Sequence, residues 1–173
     1  MKYQKLFLIS FIINIIAVVL VTFFLGDHFQ VKETIKQNEQ RLFREFVNNQ
    51  EALKINLRNA LQDTDEIDKM ELTEALNVNY ANLMLSEQIS LPDKLEWFSS
   101  SLYGYNYQLL EDFKDEAQEN STREELQTII DTINTYQKAL QFDYYDTPEE
   151  MRRKFESATE DVIIPFFNNS NPF

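Results

Sequence analysis

Residues 6–25 read LFLISFIINIIAVVLVTFFL, twenty positions without a single charge. At about 1.5 Å rise per residue a helix of this length spans roughly 30 Å, the thickness of a bilayer's hydrocarbon core. Ser10, Asn14 and Thr22 are its only polar side chains, and a helix that satisfies its own backbone hydrogen bonds tolerates them. The reading is an uncleaved transmembrane signal anchor over 6–25. A cleaved signal peptide has a shorter apolar core, about 7–15 residues, and ends in small residues. This run is longer and exits through Phe23-Phe24-Leu25-Gly26-Asp27, and the chain has no cysteine for a lipid anchor.

Lys2 and Lys5 flank the start, while 26–31 carries no Lys or Arg. That asymmetry predicts residues 1–5 as a short cytoplasmic N-terminus, with the remainder extracytoplasmic at the cell membrane. Lys32, Lys36, Arg41 and Arg44 follow within reach of the boundary and weaken the bias without reversing it. Ser10, Asn14 and Ala17 fall at i, i+4 and i+7, one helix face. Small and polar residues there permit close approach of a second helix, from another membrane or envelope protein or by self-association.

Beyond Leu25 lie 148 residues, the size of one domain. Two glycines and four prolines are too few for a turn-rich sheet fold, so helices joined by short polar loops are expected. The formal charge is −13, and without Lys2 and Lys5 the remainder carries −15. Such a surface repels nucleic acid and anionic headgroups and suits a basic partner. The abundance of Asn, Ile, Lys, Glu and Phe points to a bacterial source.

Apolar residues recur at helical spacing. Ile35, Leu42, Phe46, Leu53, Leu57 and Leu61 form a first stripe, which lets the membrane helix run on as a stalk. Asp63-Thr64-Asp65 signals a second helix, with Ile67, Met70, Leu76, Leu83 and Met84 turned inward. Ser90-Leu91-Pro92-Asp93 opens a third, whose stripe is Leu95, Phe98, Leu102, Tyr105, Leu109 and Phe113. Thr122 with Glu125 reads as a capping box starting a fourth helix, lined by Leu126, Ile129, Ile133, Tyr136 and Leu140. Thr147-Pro148-Glu149-Glu150 repeats the signal before a fifth, with Met151, Phe155, Ala158 and Val162 inward and Pro165 as its stop. The expected fold is all-α: an N-terminal transmembrane helix followed by an antiparallel bundle of four to five helices. The bundle domain covers 26–164 and 165–173 is a C-terminal tail.

The usual catalytic groups are missing. A single histidine, His28, at the membrane exit and no cysteine exclude ferritin-like and His/Cys zinc sites and nucleophile triads. A calcium-loop reading of 63–74 fails twice, with Ile67 at a ligand position and Asp68 where the loop needs glycine. No metal, no cofactor and no catalysis are expected. Trp97, Tyr103, Tyr107, Phe142, Tyr144 and Tyr145 form a candidate ligand or partner patch, since Trp and Tyr are favoured where a ring is buried and its polar edge is used. The function expected is an accessory protein that acts by protein–protein interaction. The alternative is a small-molecule or peptide sensor with an aromatic pocket near Tyr103 and Tyr145. At the level of fold alone, the architecture is similar to the extracytoplasmic helical sensor domains of bacterial receptors.

Overall fold

The computed structural model describes the backbone of residues 2–62, 67–89, 91–112 and 116–169, and their side chains except at 2–17, 19, 24–28, 112 and 116–119. Among the described residues every regular element is helical: α1 (Lys2–Ala60), α2 (Lys69–Ser86), α3 (Asp93–Asp112), α4 (Glu116–Leu140), α5 (Pro148–Ala158), a π-helical turn (Thr159–Ile163) and α6 (Ile164–Asn169). The chain divides into two compact units, Met1–Asn38 and Glu39–Phe173. The second unit carries the packed helices.

Among the described residues no helix is long and apolar enough to cross a membrane. Most side chains of the charge-free run 6–25 lie outside the described residues, as do those of Ser10, Asn14, Ala17 and His28.

In the second unit one hydrophobic core joins all its helices. Leu42, Phe46, Leu53 and Leu57 of the first stripe are buried, together with Phe43. Ile35 is not: it lies in the first unit and is 61% exposed. The α3 stripe is buried at Leu95, Phe98 and Leu102 and half-buried at Tyr105 and Leu109; Phe113 lies outside the described residues. All five apolar positions assigned to α4 are buried, and Met151, Phe155 and Ala158 of α5 join them. The centre of this packing is Phe155, whose ring meets Phe43 at 5.3 Å, Phe46 at 5.7 Å and Tyr136 at 6.4 Å.

Three start and stop signals resolve differently from expectation. Asp68 is the N-cap of α2, accepting from the Met70 and Glu71 N–H groups; residues 63–66 lie outside the described residues. Thr122 starts nothing, because α4 is already helical from Glu116, and the Glu125 carboxylate accepts instead from Tyr105 Oη at 2.5 Å and Ser121 Oγ at 3.2 Å. Pro165 does not end the last helix. A proline ring clashes with the carbonyl four residues back in an α-helix. Here the chain first widens into the π turn, in which the Ile164 N–H reaches Thr159 O, and Pro165 then sits in the first turn of α6.

The box at Thr147 forms as read. The Thr147 hydroxyl accepts from Glu150 N, and Glu150 Oε2 accepts from Thr147 N at 2.8 Å. The Thr147 backbone N–H and then its hydroxyl hold the Glu150 carboxyl below its ordinary range, so the box stabilises fully above that range and is lost as pH falls below it, through the lowered folded value. Thr147→Ala is expected to lower stability by about 1 kcal/mol, read as a shift in denaturant midpoint at unchanged slope.

The face of α2 is the largest departure from the sequence reading. Met70 is 68% exposed, Met84 is exposed, and Leu76 and Leu83 are only half-buried. The buried face carries Leu72, Ala75, Asn79, Asn82, Leu85 and Ser86. Asn79 Nδ2 donates to Ser99 O of α3 at 2.8 Å. Both amide atoms of Asn82, and both of Asn106 on α3, are buried without a hydrogen-bond partner among the described residues.

Candidate partner-binding groove

The C-terminal segment creates a surface that the helical stripes alone do not suggest. Phe166 is buried edge-on against Phe98 at 5.4 Å, and Phe167 stacks on Trp97 at 4.3 Å with 14° between the ring planes. The apolar end of the chain therefore folds back onto α3, and Phe166–Asn169 is helical where an irregular tail was expected. Fixed in this way, the π turn and α6 run beside α4 and leave a groove of about 410 Å³. Thr128, Asp131, Thr132 and Thr135 line it from α4, and Asp161, Val162, Pro165, Phe166 and Asn169 from the other side.

The chemistry of this groove follows from its hydrogen bonds. Thr128, Thr132 and Thr135 each donate their hydroxyl to the carbonyl four residues earlier, at 2.8, 2.8 and 2.7 Å. With the hydroxyl proton held by its own helix, each threonine offers chiefly a methyl group for contact. Val162, Pro165 and Phe166 add further apolar surface. Two carboxylates flank it: Asp131 accepts from Gln127 Nε2 at 3.0 Å, and Asp161 has no hydrogen-bond or ion-pair partner among the described residues. Apolar contact between acidic edges suits a cationic amphipathic segment, and no nucleophile–base pair lines the groove. Among the described residues no group of three or more His, Asp or Glu side chains could hold a metal ion.

The six aromatic residues singled out from sequence fall into separate sets. Trp97 belongs to the docked C-terminal segment, with Lys94 Nζ 4.5 Å from its ring centroid. Tyr103 packs on Tyr80 of α2 at 5.9 Å, and Tyr107 Oη donates to Glu111 at 2.8 Å. Phe142 and Tyr144 meet edge-on at 5.2 Å in the α4–α5 loop. That loop is clasped to α1. Gln40 Nε2 donates to Asp146 O at 2.7 Å, Arg44 donates to Tyr144 O and lies over the Tyr144 ring, and Tyr144 Oη donates to Asn48 at 3.1 Å. Lys154 closes the loop from α5, 2.6 Å from Asp146. Burial acts to raise the Asp146 carboxyl, but Lys154 and the Asp143 backbone N–H outweigh it and the net shift is downward. Tyr145, 90% exposed, stands at the loop tip. Tyr103 and Tyr145 do not line the groove.

Sequence reasoning missed the groove because its two sides are distant in the chain and its threonines read as neutral helix surface. The signal present was the apolar run Val162-Ile163-Ile164-Pro165-Phe166-Phe167, which required a cover. No known protein family matches the chain, and comparisons with curated proteins and with solved structures find no similar one.

Proposed function

We propose that this chain is a single-pass membrane protein whose extracytoplasmic helical bundle binds a partner protein in the groove between α4 and the C-terminal helical segment. The observation that carries the reading is the groove itself: methyl, proline and phenyl contacts among polar groups, edged by Asp131 and by Asp161, which has no ion-pair partner among the described residues. Support for the anchor comes from the charge-free run 6–25, and for the orientation from Lys2 and Lys5 ahead of it. A strongly acidic domain held at a membrane attracts basic partners over several ångströms and repels the anionic headgroups beside it.

The test is a photo-crosslinking residue at Thr132, compared with one at Glu74 on the exposed face of α2, in intact membranes. A discrete adduct from position 132 that is absent from 74 is the expected result. Equal adducts from both positions, or none from 132, overturn the groove as a docking site.

A further inference from the structure

Ile35 continues the stripe of Leu42 and Phe46 in sequence, yet it is 61% exposed, and Val31 one turn earlier is 50% exposed. We propose that these two residues form the extramembrane end of a parallel dimer seam along α1, and that a second copy of this chain covers them. Positions 10, 14, 17, 21, 24, 28, 31, 35 and 38 alternate in steps of four and three. That is the a/d register of a heptad, which gives one continuous line of contact to a partner helix. α1 is helical through all of these positions. Val21, also in the register, is exposed as well.

The occupant follows from the register. Ser10, Asn14 and Ala17 begin it, residue types that allow close approach inside a bilayer. Asn14 takes an a position, where a polar residue meeting its own copy fixes alignment and number of strands. Two copies inserted by the same anchor run parallel. In a parallel pair each g residue faces the e residue five positions further along the other copy, which sets Asp27 beside Lys32 and Thr34 beside Glu39. The first pairing is attractive and neither is repulsive. Phe29, exposed but outside the register, lies at the membrane exit, where aromatic rings are favoured without a protein partner.

The absence of cysteine makes the test direct. Single-cysteine variants over 29–38 of the full chain, reconstituted in phosphatidylcholine vesicles and oxidised with copper phenanthroline, report approach between copies. Dimer yield is expected to be severalfold higher for Val31→Cys, Ile35→Cys and Asn38→Cys than for Glu33→Cys, Lys36→Cys and Gln37→Cys. A flat profile, or maxima at 29, 33 and 36, overturns the seam. In the Ile35→Cys background, Lys32→Asp is expected to reduce the yield severalfold and added Asp27→Lys to restore it; no response overturns the charge register. The inference rests on the membrane-anchor reading, which carbonate extraction of the same vesicles tests separately. A chain that resists extraction but crosslinks evenly overturns the dimer alone, whereas a released chain overturns the anchor and the seam with it.

Discussion

Phe155→Ala is expected to destabilise the bundle by about 3–5 kcal/mol, the range for removing a large buried aromatic side chain. The ring is 1% exposed and lies where α1, α4 and α5 meet, in contact with Phe43, Phe46 and Tyr136. Its loss removes apolar burial and leaves a void that three helices cannot close without disturbing one another. Tyr136 is ill placed to fill it. Its hydroxyl is buried next to Thr159 without meeting hydrogen-bond geometry, and burial pushes the phenol well above its ordinary range, so the group stays neutral. Denaturant unfolding of the chain in mild detergent measures the effect. A loss below about 1 kcal/mol would mean that the helices relax into the space, and that Phe155 is not the centre of the core.

Asn82→Asp is expected to cost a comparable amount at neutral pH, and the cost should fall on acidification. The substitution hardly changes size, but it places a carboxyl on the α2 face at a position with zero exposure and, among the described residues, no hydrogen-bond partner for either terminal atom. Desolvation raises the folded-state pKa of such a group above its unfolded value of about 3.9. Below the unfolded pKa the acid is neutral in both states and the penalty is small. Above it the unfolded chain ionises first, and stability declines by about 1.4 kcal/mol per pH unit until the folded pKa is reached. Unfolding midpoints of variant and parent at pH 4.5 and pH 7 test this. A difference independent of pH would show that the Asn82 site already contains water or a cation able to solvate a charge.

The two substitutions also mark where the sequence was legible and where it was not. Around Phe155 the core could be read in advance, because Leu126, Ile129, Ile133, Tyr136, Met151 and Phe155 recur at helical spacing and their burial follows from apolarity alone. The α2 face could not. Periodicity reasoning looks for apolar residues, so it turned the helix toward Met70 and Met84, whereas the packed face includes Asn79, Asn82 and Ser86. Close α2–α3 packing favours small and compact side chains, and their polarity hides them from a hydropathy reading. Local capping motifs were similarly divided. Thr147–Glu150 begins a helix because a loop precedes it, and Thr122–Glu125 does not, because the helix is already under way from Glu116. Locally only the apolar run 162–167 hints at the groove, whose sides come from 128–135 and 161–169, with Phe166 and Phe167 docked on α3.

That docking also has an optical consequence. The chain contains one tryptophan, and it is the residue on which Phe167 stacks and over which Lys94 lies. Its indole emission therefore comes from a single place, the seat of the C-terminal helix. Phe166, the next residue to the one on the indole, is also part of the groove lining. Whatever enters that groove and shifts Phe166 changes the surroundings of the only strong fluorophore in the chain, so occupancy can be followed by light without attaching a label.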